Sequence, residues 1–135
     1  MGVPMAHLTI FDVQHGACAL LEADNGATML IDCGKSSDTG WSPTKDLIER
    51  GYNELTMLAV TNYDEDHVDG LPELRQSSVK IKSLLRNKEV SPDNILQLKS
   101  ETGMGKGIAA LVEMSRTYNQ SMSPPDFAGI TWKTF

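Results

Sequence analysis

Asn25-Gly26, set between the apolar runs 17–23 and 27–32, is the feature that most narrows the fold of this chain. An Asn-Gly pair between such runs is the strongest short-range hairpin signal, because both residue types tolerate the positive φ of a tight turn. The pattern predicts two antiparallel strands. If Asn25 and Gly26 are the two central turn residues, Leu21 faces Leu30, Leu20 faces Ile31 and Cys18 faces Cys33. The cysteines then form a hydrogen-bonded pair with α-carbons ~5.5 Å apart, a spacing a disulfide can span. The other reading is two small buried thiols side by side. Neither zinc-ribbon nor C-x-x-C spacing is present, and no basic-then-apolar leader opens the chain, so a reduced, cytoplasmic compartment is expected and the thiol reading is favoured. A shift of one residue in the turn removes the pairing.

Around the hairpin, residues 7–13 read as a strand rich in β-branched and aromatic side chains, closed by the tight connection Gln14-His15-Gly16. Ser42-Pro43 is an N-cap followed by a first-turn proline, opening a helix through Arg50 that Gly51 ends. Residues 54–61 form the next strand, 67–75 a short helix, and 79–85 an alternating strand. Ser91-Pro92 repeats the cap-plus-proline device for a helix to about Lys99. Residues 107–118 form another helix, with Ile108, Leu111, Val112 and Ser115 on one stripe. After a breaker cluster at 121–125, residues 129–135 begin a further strand. No repeat, low-complexity tract or dividing linker interrupts this order, so residues 1–135 are read as a single domain: α/β in class, an α+β mixed sheet with helices on one face.

The chemistry is concentrated in residues 60–71, V-T-N-Y-D-E-D-H-V-D-G-L. A short apolar strand runs straight into Asp64, Glu65, Asp66, His67 and Asp69, at the carboxyl end of a sheet strand where open α/β sheets bind ligands. Carboxylate and imidazole donors at this density suit zinc, manganese or iron, and a cation relieves the mutual repulsion of the acids. Adjacent Asp66 and His67 can diverge toward two ions, or one can act behind the other. The competing reading is a solvated acidic cap, since acids at a helix start are favoured by the macrodipole.

Three segments together bear a resemblance. T-N-Y-D-E-D-H-V-D-G-L resembles the T-H-x-H-x-D-H-x-x-G signature of the metallo-β-lactamase fold hydrolases. It is closer still to the T-H-x-D-x-D-H-x-x-G-L variant in the hydrolase domain of bacterial DNA-uptake (competence) proteins. F-D-V-Q-H-G-A-C-A-L-L is similar to their F-x-D-V-G-Q-G-D-A-x-L-I opening, and M-L-I-D-C-G to their L-I-D-x-G strand. The likeness spans residues 10–74 and fades beyond. It implies the N-terminal half of an αββα sandwich. By the same resemblance Asp64 matches a ligand of a first metal, and Asp66 and His67 match ligands of a second. Asn62 stands where the family has its leading histidine, which makes the first position weak, harder in its metal preference, or lost, because a neutral carbonyl is a poor zinc ligand. Asp12 and His15 fall in an opening loop near the family's active site, so His15 is a candidate for substrate contact or proton transfer; the other reading is a loop histidine at a turn. Asp32 reads as a hydrogen-bond acceptor at a strand end. Of the three histidines, His7, His15 and His67, none follows His67, so the family's remaining ligands are expected from outside these residues.

The function expected on these grounds is a metal-dependent hydrolase portion with Zn or Mn, one or two ions weakly held by this chain alone, and a phosphodiester or other small substrate. Asp66 and His15 are the catalytic candidates, and Asn62, Asp64, Asp66 and His67 the metal candidates. The second class is a degenerate binding or assembly module. Half a sandwich leaves one sheet face and an edge bare, so self-association or a partner chain is expected. No apolar run approaches the ~20 residues of a membrane span. The net charge of −6 speaks against a broad basic face for nucleic acid, though a bound metal can supply positive charge locally. Gly103 to Gly107 lacks phosphate-loop spacing, no serine has a histidine partner, His7 is incidental, and Met104, Met114 and Met122 read as packing residues.

Overall fold

The computed structural model describes residues 3, 5–87, 90–100 and 103–121. The strand expected at 129–135, the breaker residues 122–125 and Met122 lie outside them. In chain order the elements are β1 (Ala6–Ile10), β2 (Ala19–Ala23), β3 (Thr28–Ile31), α1 (Pro43–Glu49), β4 (Glu54–Leu55), β5 (Met57–Ala59), a 3-10 turn (Glu65–His67), α2 (Leu71–Gln76), β6 (Lys80–Ile81), β7 (Leu84–Leu85), α3 (Pro92–Ser100) and α4 (Lys106–Ser121).

The hairpin forms, but in a different register. Leu20 faces Leu30 and Ala19 faces Ile31, one residue away from the pairing expected for a two-residue turn. The loop holds three residues, Asp24-Asn25-Gly26. The Ala23 N–H donates to the Ala27 carbonyl at 2.9 Å, and the Gly26 N–H to the Ala23 carbonyl at 3.0 Å. Only Gly26 takes a positive φ, +90°, the geometry of a type I turn closed by a left-handed residue. Asn25 instead turns its side chain to accept the Ala27 N–H at 3.0 Å. Cys18 and Cys33 therefore do not face each other across the ladder. Both are buried free thiols, as the favoured reading has it, but not the cross-strand pair it assumed.

β1, β2 and β3 form an antiparallel meander, and β3, β5 and β7 pair in parallel, giving a mixed sheet ordered β1-β2-β3-β5-β7. The strands expected at 54–61 and 79–85 are each broken in two, and β4 pairs with β6 in a separate small sheet. Side-chain hydroxyls cause the break. The Thr56 N–H donates to Thr28 Oγ1 at 3.3 Å, the Thr28 N–H donates to Thr56 Oγ1 at 3.0 Å, and Ser83 Oγ donates to the Thr56 carbonyl at 2.7 Å. These bonds take Thr56 out of the backbone ladder.

The registers place Leu20, Leu30, Leu58 and Leu84 in one row across the sheet, all buried. Leu47 of α1, Leu71 and Leu74 of α2, Ile95 of α3 and Ile108, Leu111 and Val112 of α4 join that row in a single core. Each such buried side chain contributes roughly 2 kcal/mol of transfer free energy before entropy is subtracted. The opposite face carries Leu8, Leu21, Met29 and Met57 in one row and Ile10, Ala19, Ile31 and Ala59 in the next. Leu8 is 52% exposed and Ile10 77%. The expected placing of helices on one face agrees with this division.

α1 begins as its sequence requires: Ser42 Oγ accepts the Lys45 N–H at 3.3 Å, and Gly51 closes the end with φ +88°. The helix expected at 67–75 is split, because Gly70 and Cys33 meet where a continuous helix would run; the Gly70 N–H donates to the Cys33 carbonyl at 2.8 Å. α4 runs as expected with its Ile108, Leu111, Val112 and Ser115 stripe buried. Met114 packs in the core, while Met104 is 39% exposed. No helix among the described residues is long and apolar enough to cross a membrane.

Candidate metal centre behind β3 and β5

The three segments singled out in the sequence converge on one point. Beyond β3, the Cys33 N–H donates to the His67 carbonyl at 2.8 Å and the Gly34 N–H to the Ala17 carbonyl at 2.9 Å. The Asp66 carbonyl oxygen sits between two glycines. A Cβ added at Gly16 would lie 2.2 Å from it, and one added at Gly34 would lie 2.5 Å from it. Gly16 and Gly34 are thus fixed by close backbone approach, and both help to pin the Asp66-His67 peptide.

Asp32 is the centre of the polar structure. It is buried in the left-handed conformation, φ +59°, which aspartate adopts more readily than most residues. Its Oδ1 accepts the Thr61 N–H at 2.8 Å and its Oδ2 accepts the Thr61 hydroxyl. The same Oδ2 lies 3.2 Å from His67 Nδ1. An ionised carboxylate only accepts, so Nδ1 carries a proton toward Asp32, and in the neutral form of the ring Nε2 keeps its lone pair. That Nε2 faces Asp66 Oδ1 at 3.9 Å. Two ligands of a tetrahedral ion with arms of about 2.1 Å sit about 3.4 Å apart, so the pair is close to the separation a shared ion requires.

The other acids turn elsewhere. Asp64 Oδ1 accepts from Lys99 Nζ, at the end of α3, at 3.0 Å. Glu65 reaches the start of α4, where its two oxygens accept the N–H groups of Gly107 at 2.8 Å and Ile108 at 3.0 Å. Asp69 Oδ1 accepts the Lys35 N–H at 2.8 Å. Burial pushes the Asp69 carboxyl above its ordinary range, against that hydrogen bond. Asn62 folds its side-chain oxygen back onto the Asp64 N–H at 3.0 Å. His15 and Asp12 lie in the opening loop, where Asp12 Oδ1 accepts the Gln14 N–H at 3.1 Å and His15 is exposed. Among the described residues no group of three or more His, Cys, Asp or Glu side chains is arranged to hold a metal ion.

Of the named candidates, Asp66 and His67 come together, with Asp32 behind the imidazole. Asn62 and Asp64 share a turn, and Asp64 an ion pair, while His15 stands apart on its loop. Two contacts escape sequence reasoning. Lys99 is thirty-five residues from Asp64, and only the packing of α3 brings it there. Glu65 looks like one more acid of the cluster, yet the glycine-rich entry of α4 is a signal for its separate role: a Cβ at Gly105 would lie 2.2 Å from the Glu65 carboxyl carbon. Comparison of the chain with family models, with curated proteins and with solved structures returned no match in any of the three.

Proposed function

We propose that this chain is part of a metal-dependent hydrolase acting on phosphodiesters, the activity its resemblance to the metallo-β-lactamase fold hydrolases implies. Asp66 and His67 hold a divalent ion, zinc or manganese, at the end of β5, and donors outside the described residues complete its shell. Asp64 and Asn62 lie beside this pair, at the weak first position. The bound ion supplies a water of lowered pKa and polarises the scissile group. Asp32 sets the His67 tautomer and ring orientation, the service a carboxylate behind a metal-bound histidine performs. His15 is the group assigned to substrate contact or proton transfer. The part of this sheet face exposed among the described residues, at Leu8 and Ile10, is where a second half of the sandwich, supplied by a partner chain or a second copy, packs. The cytoplasm is the proposed location.

The observation that carries this reading is the Asp32–His67–Asp66 line, with Nδ1 held at 3.2 Å and Nε2 turned to a carboxylate. Metal analysis of purified protein, followed by calorimetry with Zn²⁺ and Mn²⁺, tests it. Binding that Asp66→Asn and His67→Ala each abolish is expected; no binding at millimolar metal in the complete assembly overturns it.

A second reading, a non-catalytic binding or assembly module, is favoured by the use of Asp64 and Glu65 as structural partners of Lys99 and α4. Under it no metal binds at millimolar concentration in the complete assembly.

A further inference from the structure

β1 is the outer strand of the five-stranded sheet, and among the described residues only β2 pairs with it. The hydrogen bonds at its two ends show which of its peptide groups face outward. The Phe11 N–H donates to the Cys18 carbonyl at 3.0 Å, and the Asp24 N–H to the Met5 carbonyl at 3.1 Å. Antiparallel pairs alternate between hydrogen-bonded and non-hydrogen-bonded. In the β1–β2 register His7 and Thr9 therefore bond to β2, while Ala6, Leu8 and Ile10 turn their N–H and C=O groups away from it. Ala6, Leu8 and Ile10 are all exposed, Ile10 by 77%. Proteins guard such edges with lysine, proline or a bulge. Ala6–Ile10, A-H-L-T-I, has no proline and no permanently charged side chain, and it pairs with β2 residue for residue.

We infer that two copies of this chain join through β1, antiparallel about a two-fold axis at Leu8, into one continuous sheet. The strand is self-complementary in that register. Leu8 pairs with Leu8 of the second copy and Ala6 with Ile10 of the second copy, so every outward N–H and C=O of β1 finds a partner. An axis at His7 would set imidazole against imidazole and leave Ile10 with nothing opposite it in β1; an axis at Thr9 would do the same to Ala6. With the axis at Leu8, His7 stands opposite Thr9 and no like charges oppose each other. Leu8 already forms one apolar row with Leu21, Met29 and Met57. The pairing sets the two Leu8 side chains beside each other and joins the rows of both copies. The outward peptide groups and the exposed side chains of Leu8 and Ile10 belong to the same residues, so a copy of β1 satisfies both at once. This contact lies at the sheet edge, not at the face assigned above to the second half of the sandwich, and it does not depend on the metal centre.

The test uses the full chain. Sedimentation equilibrium reads the dimer, and hydrogen exchange reads the Leu8 and Ile10 amides at high and low protein concentration. Isotope-filtered NMR on mixed labelled and unlabelled chains reads contacts between copies. A dimer with those amides protected, and with the α-hydrogen of His7 against that of Thr9 across copies, supports the inference; that narrow pair is the signature of the register. Ala6→Pro keeps the β1–β2 bonds, since the Ala6 N–H faces outward. It should weaken the dimer roughly tenfold or more, with circular dichroism unchanged, because symmetry removes a donor at each end of the contact. The wild-type readouts decide alone if this variant fails to fold. A monomer at millimolar concentration overturns the inference, as does an undiminished dimer in folded Ala6→Pro. A dimer whose Leu8 and Ile10 amides exchange freely also overturns it, and leaves the sandwich reading standing. Protection of these amides only when a different chain co-purifies overturns it by assigning the edge to that chain.

Discussion

Asp32 and His67, thirty-five residues apart in the chain, meet at 3.2 Å between a buried carboxylate oxygen and the imidazole Nδ1. The contact joins the end of β3 to the turn after β5. It fixes which nitrogen of the imidazole faces the rest of the centre. Asp32→Asn is the informative substitution, because asparagine also tolerates the positive φ of this position. Its amide can accept the Thr61 N–H, but it brings a donor against the Thr61 hydroxyl and His67. The wild type is expected to show the Nδ1–H tautomer of His67 by nitrogen NMR above neutral pH, and Asp32→Asn the reverse. The cost in stability is about 1–3 kcal/mol, read from urea unfolding. If the centre holds an ion as proposed, its affinity should fall by about 10–100-fold. An unchanged tautomer in the variant would show that Asp32 does not orient the ring.

Gly16 and Gly34 hold the Asp66 carbonyl between them, and neither has room for a Cβ. Overpacking against backbone cannot be relieved by a rotamer change. Gly16→Ala and Gly34→Ala should each lose about 3 kcal/mol or more, toward the upper end of overpacking costs. Gly26→Ala is the control: its Cβ meets nothing within 4 Å, and only the φ of +90° opposes it, so a loss of about 1 kcal/mol is expected. Equal losses at all three positions in urea melts would contradict the close approach.

Glu65 caps α4 from a distant loop, with one carboxylate serving two N–H groups. Charge-assisted bonds of this kind are worth about 1.5–3 kcal/mol. Glu65→Ala should destabilise the chain by about 2 kcal/mol, and Glu65→Gln by less, since the amide keeps one acceptor. Hydrogen exchange at the Gly107 and Ile108 amides should quicken in both. If those amides stay protected in Glu65→Ala, the helix start is satisfied by some other group.

Burial, aided by Asp32 and Asp46, pushes the Cys18 thiol up to about 12, and burial pushes the Cys33 thiol upward as well. A thiol raised in the folded state favours folding in its protonated form. Its contribution is fully present below the ordinary thiol pKa of about 9 and is lost as pH rises toward about 12. Stability should therefore decline across that alkaline window, and the decline should flatten in Cys18→Ala. At about pH 8, below that window, both thiols should resist alkylation until the chain unfolds. Rapid modification of native protein under those conditions would show that the thiols are accessible.

Much of the frame is legible in the residues themselves. Ser42-Pro43 and Gly51 bound α1, and the Ile108–Leu111–Val112–Ser115 stripe faces the core as its spacing says. The hairpin is legible but its register is not: Asn-Gly fits both a two-residue turn and the end of a three-residue turn, and only the ladder bonds of Ala23 and Ala27 decide between them. Thr56 is a good strand residue, so the break between β4 and β5 is invisible without Thr28 and Ser83, which lie twenty-seven or more residues away. In the candidate site, Asp32 is an acceptor at a strand end, as its position in the sequence implies. The acids at 64–69 look alike in sequence. What separates them is long-range packing: α3 brings Lys99 to Asp64 and α4 brings its first amides to Glu65, and neither contact leaves a local mark at the acids.

The face of the sheet opposite the helices leads to the last prediction. Leu8 and Ile10 stand on β1, an edge strand, with Leu21, Met29 and Ile31 beside them on the same face. Among the described residues no strand pairs with the outer edge of β1, and an apolar sheet face next to such an edge is an association surface. Leu8→Lys and Ile10→Lys place charge on this face at positions 52% and 77% exposed, so folding stability should change by no more than about 0.5 kcal/mol. Self-association or partner capture, if it uses this face, should weaken by roughly tenfold or more in the double variant, because each lysine must be desolvated in the contact. Light scattering over a dilution series reads the outcome for self-association. A wild type that stays monomeric at every concentration, with no partner chain co-purifying, would count against this face as an interface.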